Sequence, residues 1–595
     1  MDLTTEQHDI IEAASSRDHL RVKAFAGTGK TTTLRAAAEA LGGQRLLYLA
    51  FNRAIADEAK TKFPRHVKAS TAHSVARGQT REIFADERVT KNLMEVVQGV
   101  EENPALESVH ELCDGDRRRA ALVVTQTLNR WATSANESPT ERHVPVQFSA
   151  RFSEDQRPEA VEAATRAASR VWDDMVRPES SMPVTHDYYL KYWALGRPRL
   201  PYSAVLFDEA QDANPVLLKV VMDQQAQQVY VGDSHQQIYR FRGAVDAMTK
   251  AQGQELPLTM SWRFGTQIAA CANEVLTMLG ERLALVGGGE AGLVRDEVSR
   301  GGGYDAVLCR SNAGVIREVI SGLDDGKRVA VAGGAKEAAN LLAAAYKLRC
   351  GQKTGHGELR MFVSWEEFEA FAQTEEGSSY SPIIRTVEEH GSNVPKLCKR
   401  LKEDTEKDEE RAEQVVSTAH KAKGREWQRV RFCDDFGSLL SQDDKGKVSV
   451  NRDEANLLYV AITRATSELN LGGYGATLKQ NAQQFRESRL EASAPTSGAS
   501  SEPGAPGQGA GKRNSLRERV ADRFKSAEKR RRSKGDKLYE QGAVKVSSDG
   551  KFRVMDSSGT EVTVKLTCPC EEATEGHVCE HQFAVLRAMS SSAES

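Results

Sequence analysis

Short apolar runs alternate with helical stretches along the first part of the chain. Leu20–Ala24 is the first such run, and the alanine-rich stretch Leu34–Leu41 follows it. Leu46–Ala50 (LLYLA) reads as a second strand and residues 55–62 as a helix. From about 80 to 200 the pattern turns helical and polar with no strand rhythm, as expected of an insertion. The alternation resumes at Ala204–Phe207 and Gln228–Val231, both short and apolar in the manner of buried parallel strands. A second α/β unit occupies about 256–475, with strands expected at Ala306–Cys309, Arg328–Ala332 and Arg429–Cys433. Within it, about 335–412 is again helical and ends in the charge run LKEDTEKDEERAE, which reads as a solvated helix face without assigned function.

Residues 492–511 (ASAPTSGASSEPGAPGQGAG) have the composition of a flexible linker. A basic stretch, Lys512–Lys537, carries about a dozen Lys/Arg against about four acids, and a β-rich tail with strands near 542–547 and 551–555 follows. The formal net charge of −3 excludes a global basic field, so nucleic-acid binding has to come from local patches. No apolar run approaches a membrane span, and the N-terminus MDLTTEQHDIIEAA lacks a signal-peptide core, which predicts a soluble intracellular chain. Of nine cysteines, Cys113, Cys271, Cys309, Cys350, Cys398 and Cys433 are scattered and read as reduced.

The most specific local signal is Ala24–Thr33, AFAGTGKTTT, between a strand and a helix. Small residues let the N–H groups of Ala26, Gly27, Thr28 and Gly29 curl around a polyphosphate at a helix N-terminus, with Thr32 beginning the first helical turn. Lys30 adds a point charge near the β- and γ-phosphates, and Thr31 places a hydroxyl on Mg²⁺. The strict pattern has Gly where this chain has Ala24, and a glycine-rich turn is the alternative reading. Downstream, VLFDEAQDANP (Val205–Pro215) is an apolar strand ending in Asp208–Glu209. Such a carboxylate pair can hold Mg²⁺ and activate an attacking water, and its order after the loop predicts an NTPase.

DEAQD followed by VGDSHQQIYRFRGA (Val231–Ala244) resembles the superfamily 1 helicases of the UvrD/Rep/PcrA type. LTTEQHDII, FNRA (Phe51–Ala54), STAHS (Ser70–Ser74), SWRFG (Ser261–Gly265), STAHKAKGREW (Ser417–Trp427) and LLYVAITRA (Leu457–Ala465) fall in that family's motif order. The wording is most similar to the F-box DNA helicase branch, with no F-box evident in these residues. The resemblance covers most of 1–475. It implies an α/β fold of two RecA-like parallel-sheet motor domains with helical insertions. The first would comprise 1–80 plus 201–255, interrupted by the insertion 81–200. The second would comprise 256–334 plus 413–480, interrupted by 335–412. A disordered linker at 485–515 and a basic region with a zinc module at 516–595 complete the expected layout.

The resemblance also implies roles. Lys30, Thr31, Asp208 and Glu209 would carry Mg²⁺–ATP and its hydrolysis, Gln236 would sense the γ-phosphate, and Arg263 and Arg464 would act as arginine fingers. Gln7 would read adenine, Trp262 would stack on it in place of a Tyr, and Glu426 would meet the ribose. On the DNA side fall Phe51, Asn52, Arg53, Thr71, His73, Tyr239, Phe241, Arg242, Thr418 and His420, with Phe241 where the family places a stacking Trp.

At the C-terminus, Cys568, Cys570, Cys579 and His581 have the spacing CxCx₈CxH, a closed tetrahedral Zn²⁺ set similar to the SWIM-type finger, in a ββα unit. With the basic stretch it could grip DNA phosphates, or it could recruit a protein. KRRR (Lys529–Arg532) reads as a solvated basic helix or a nuclear signal. The implied function is an ATP-dependent DNA helicase or translocase on single-stranded and tailed duplex DNA, 3′→5′, in DNA repair, recombination or replication. It would be cytoplasmic in a prokaryote or virus and nuclear in a eukaryote. The alternatives are a scaffold or translocase that strips proteins with little unwinding and, more weakly, an RNA-directed enzyme.

Overall fold

The computed structural model describes residues 3–493 except 241–242, 298–302, 357–358, 374–376, 378–379 and 443–447, together with three strands near the C-terminus. Two six-stranded sheets, parallel throughout, organise residues 3–493. The first is built from β1 (Leu20–Ala24), β2 (Leu46–Ala50), β3 (Val67–Thr71), β4 (Ala204–Phe207), β5 (Gln227–Gly232) and β6 (Gln254–Leu258). Its spatial order is β3-β2-β4-β5-β1-β6. A short pair, β7 (Met260–Ser261) and β8 (Val286–Gly287), connects to the second sheet. That sheet uses β9 (Leu293–Arg295), β10 (Ala306–Cys309), β11 (Val329–Val331), β12 (Gln414–Thr418) and β13 (Trp427–Phe432). After the hairpin of β14 (Leu440–Gln442) and β15 (Val448–Val450) comes its last strand, β16 (Ala465–Asn470), giving the order β11-β12-β10-β13-β16-β9.

The period of two along each strand divides the core. In the first sheet Leu46, Tyr48, Leu206 and Val229 face a cluster with Ile10, Leu34 and Ala37, from helices on that side. Their neighbours Leu47, Leu49, Val205, Phe207 and Tyr230 face the other way, into a cluster with Trp131, Val171 and Tyr188. Those last residues belong to the inserted helices Arg117–Thr133, Arg157–Met175 and His186–Leu195, so this insertion shares its core with the sheet. The second sheet repeats the device. Leu308, Val430 and Phe432 pack on one face, while Val307, Val329, Val416 and Cys433 face the inserted helices Lys336–Arg349, Trp365–Ala372, Ser381–His390 and Val394–Glu403. The insertions meet through an Arg119–Glu367 ion pair of 3.3 Å.

Three boundaries differ from expectation. The first sheet runs to Leu258, past residue 255, because β6 pairs with β1 through Ala24↔Leu258. The helix Tyr474–Ser493 extends into the stretch expected to be linker, because Tyr474, Leu478 and Phe485 recur at helical spacing against the second core. The charge run leaves its helix at Glu403; beyond it Glu406 bridges to Ala330, Glu409 pairs with Arg425 and Glu413 pairs with Arg328. Much of that run is therefore an ion-paired turn along the sheet edge rather than a helix face, and it stays largely solvent-exposed as expected. No helix among the described residues is long and apolar enough to cross a membrane. The C-terminal unit, described by itself, holds an antiparallel three-stranded sheet of Val544–Val546, Phe552–Met555 and Glu561–Val564.

Candidate active site

β1 ends at Ala24 and the helix Lys30–Ala40 begins six residues later, so Phe25–Gly29 must reverse the chain in one tight loop. Gly27 and Gly29 do this with φ of +75° and +78°, a region costly to any side chain. Space imposes the same choice at Gly27: a Cβ there would stand 2.5 Å from Ser261 Oγ and 2.7 Å from Arg263 Cβ. The SWRFG segment is thus pressed onto the loop, and Trp262 N–H donates to Gly27 O at 2.9 Å. The last glycine lies between two predicted adenine contacts, Gln7 and Trp262, both within 4.0 Å of where its Cβ would be. Gln7 is buried, accepts from Thr4 N–H at 2.9 Å and donates to Thr33 at 3.0 Å. Trp262 keeps 39% of its surface exposed, an aromatic face open to a planar ligand. Thr28 spends its hydroxyl on Phe25 O at 2.9 Å, leaving only its backbone for a ligand, whereas Thr31 and Thr32 are exposed.

The carboxylates stand at the end of β4. Glu209 has φ of +50°, rare for a residue with a side chain, and such strain persists only where the surroundings impose it. Its carboxylate lies 3.9 Å from Lys30 Nζ and accepts from the Gln211 amide. Asp208 accepts from the Tyr48 hydroxyl at 2.6 Å and from Glu209 N–H at 2.9 Å. Burial and the charge of Glu209 raise the Asp208 carboxyl, whereas Lys30, Lys423, Gln211 and Arg464 together overcome burial and lower that of Glu209. Burial likewise lifts Asp212 to about 6 despite its ion pair with Lys423. Asp208 and Glu209 thus stand at the strand tip beside the exposed Thr31, and this set of hard oxygen donors fits Mg²⁺. No cluster of three or more His, Cys, Asp or Glu that could cage a metal occurs among the described residues.

Cations arrive from the second sheet. Arg464 is 1% exposed and donates to Val460 O, Arg425 O and Thr463 Oγ1 at 2.8, 3.1 and 3.0 Å. Burial, with Arg263 beside it, lowers this guanidinium to about 9, so it is charged at neutral pH. Arg263 pairs with Glu426 at 2.7 Å and donates to Thr463 O at 3.1 Å, so a predicted finger and the predicted ribose contact are here each other's partners. Gln236 donates to Asp233 Oδ2 at 2.8 Å, and its carbonyl accepts from Lys423 Nζ at 2.6 Å. Tyr459 joins the same network (Asp233 at 2.9 Å, Ala26 N–H at 3.1 Å). Sequence reasoning assigned no role to Tyr48, Asp212, Asp233, Lys423 or Tyr459. For the tyrosines a signal existed: each is a hydroxyl in an otherwise apolar run, LLYLA and LLYVAI.

The candidate DNA residues divide. Phe51 is 51% exposed and stacks with Tyr239 (6.5 Å between centroids, 9° between planes), and the Tyr239 hydroxyl donates to His420 O at 3.3 Å. These three form one patch. Asn52 and Thr71 cap the helices that follow β2 and β3, accepting from Ile55 N–H and Ser74 N–H, which turns both helix N-termini to the same rim as Phe51. Arg53 is exposed and pairs with Asp57; His73 meets Asp187 at 3.2 Å. Thr418 is buried and accepts from Lys421 N–H, so it shapes its turn rather than offering a surface. Phe241 and Arg242, like Cys568, Cys570, Cys579 and His581, lie outside the described residues.

A phosphate loop after β1, carboxylates at the end of β4, one strand removed in the same sheet, and basic side chains from beside a second parallel sheet define a two-lobed nucleotide-binding architecture. The chain matches the UvrD/REP helicase N-terminal domain over residues 3–255 and the UvrD-like helicase C-terminal domain over 337–473, together more than half its length. It belongs to the UvrD-type helicase family. It is 31% identical to F-box DNA helicase 1 of Gallus gallus over 501 residues, 78% of this chain and 48% of that protein. It is 30% identical to F-box DNA helicase protein 1 of Schizosaccharomyces pombe (strain 972 / ATCC 24843) over 510 residues, 79% of this chain and 57% of that one. The chain thus spans about half the length of these curated relatives. Among solved structures it is similar to the PRRSV helicase at 11% identity and a TM-score of 0.28, covering 80% of this chain and 56% of that one, which carries no argument.

Proposed function

We propose that this chain is an ATP-dependent DNA helicase or translocase that moves 3′→5′ along single-stranded DNA in DNA repair, recombination or replication. The observation that carries the reading is the approach of Lys30 to Glu209, 3.9 Å, beside a glycine loop against which Arg263 is pressed, with Arg464 near enough to help lower the Glu209 carboxyl. Glu209 is held ionised and is suited to take a proton from an attacking water. Lys30 neutralises the phosphates, and the two arginines stabilise the charge that develops on the transferred group. Thr31 and Asp208 would hold Mg²⁺, which when bound supplies charge neutralisation of the phosphates. Gln7 would read the adenine and Trp262 would stack on it. Phe51, Tyr239 and His420 offer a stacking surface to the strand, with the two capped helix N-termini beside them for phosphates. That both curated relatives are named DNA helicases supports DNA over RNA. The direction follows the family resemblance. Cys568, Cys570, Cys579 and His581 would hold Zn²⁺ in a tail that grips DNA or a partner protein.

The test is ATP hydrolysis and strand displacement on 3′-tailed, 5′-tailed and blunt duplexes, beside an assay for removal of protein from single strands. DNA-stimulated hydrolysis and preferential unwinding of the 3′-tailed substrate are expected, both lost in Lys30→Ala. Hydrolysis persisting in that variant would sink the assignment, and protein removal without unwinding would favour the stripping translocase.

A further inference from the structure

Tyr459 lies in the helix Arg452–Ile462, the helix that leads directly to Arg464. Its ring is fully buried in a core shared by both lobes: Phe25, Ala26 and Ile238 of the first pack there with Phe264, Leu458 and Ile462. A phenylalanine would fill that space equally well. The hydroxyl, however, uses both its acceptor and its donor, and both partners belong to the first lobe. It accepts from Ala26 N–H in the phosphate loop at 3.1 Å and donates to Asp233 Oδ2 at 2.9 Å. That same oxygen accepts from Gln236 Nε2 at 2.8 Å, while Asp233 Oδ1 accepts from His235 N–H at 3.1 Å. Asp233 is itself 1% exposed, so each of these bonds forms where water does not compete.

A bond made only to cement two lobes could end on any surface group. This one ends on the loop that would cradle phosphate and on the carboxylate that holds the side chain of Gln236. It also originates on the helix that delivers Arg464. Any rotation that carries Arg464 toward or away from the loop must therefore stretch or break the Tyr459 bonds.

We infer that Tyr459 is an interdomain positioning residue for nucleotide hydrolysis, registering the Arg464 helix against the phosphate loop and, through Asp233, fixing the orientation of Gln236. This rests on the hydrolytic function proposed above. Tyr459 touches no reacting atom; its contribution is geometric, and errors of about 1 Å in such placements can cost about 10²-fold in rate.

The experiment uses the full chain as wild type, Tyr459→Phe, Gln236→Ala and the double variant, measuring single-strand-stimulated ATP hydrolysis and affinity for a fluorescent ATP analogue. Tyr459→Phe is expected to lower kcat by about 10–100-fold while KM and analogue affinity stay within about threefold. Added to Gln236→Ala, it is expected to cost less than about twofold more, because both act through one geometry. A purely structural role would lower the thermal midpoint and leave kcat within about twofold of wild type, which overturns the inference. Multiplying losses in the double variant would overturn it too. An active wild type with an unaffected Tyr459→Phe defeats this inference alone, whereas a wild type that hydrolyses no ATP defeats the functional reading and this one with it.

Discussion

The two sheets are near copies in architecture and opposites in chemistry. Each has six parallel strands, and each turns one face to helices near in sequence and the other to an inserted helical bundle. At the first sheet the strand-end loops carry Asp208, Glu209, Asp212 and Asp233 around one lysine. The segments that meet them carry Arg263, Lys423, Arg464 and the Tyr459 hydroxyl. The fold supplies two similar platforms, and the loops decide that one is acidic and the other basic. Such a division means that side chains of both lobes meet at one site.

Removing the second lobe's charge should have the largest consequence. Arg464→Gln, which removes the charge, is expected to lower kcat by about 10³-fold or more with nucleotide affinity retained, measured by DNA-stimulated hydrolysis beside analogue binding. A loss of only a few fold would mean that the basic side is packing, not chemistry. On the acidic side, Glu209→Gln should lower kcat by about 10²–10⁴-fold at unchanged affinity, and near-normal turnover there would leave the carboxylate pair without its division of labour.

Glu281 inverts the pattern and sharpens it. It follows the helix Thr266–Met278 yet meets two first-lobe side chains, Lys23 at 2.6 Å and His235 at 2.7 Å, with its side chain 4% exposed. Burial alone would raise its carboxyl, but His235, the Leu283 and Arg282 N–H groups and Lys23 hold it far below the ordinary 4.5. Its stabilisation is therefore fully present above pH 4.5 and lost as the pH falls below it. Glu281→Gln should cost about 2–4 kcal/mol in denaturant unfolding at pH 7 and show a shallower acid loss than wild type. Equal acid slopes would remove Glu281 as the group responsible. The smallest effect is expected at the rim: Phe51→Ala should weaken single-strand binding by about 1–2 kcal/mol and spare ATP hydrolysis measured without DNA. Unchanged affinity would move the DNA track away from this patch.

Much of the fold was legible because its signals are local. Ala204–Phe207 and Ala306–Cys309 are strands where four apolar residues in a row predict them, and AFAGTGKTTT turns where its glycines permit. The helix reaching Ser493 and the ion-paired turn after Glu403 depart from what composition predicts. In both, contacts with distant elements override composition: Leu478 and Phe485 against the second core, Glu409 against Arg425.

The sequence by itself determined the phosphate loop, the Asp208–Glu209 pair and the order in which the motifs follow, since each is a run of neighbouring residues whose chemistry needs no partner to be recognised. Only the tertiary structure decided what holds them in place. Tyr48 reaches Asp208 across 160 positions, Tyr459 reaches Asp233 across 226 and Ala26 across 433. Hydrogen bonds require atoms within about 3 Å, and no spacing rule along a chain can tell which hydroxyl, hundreds of residues away, folding will bring to that distance.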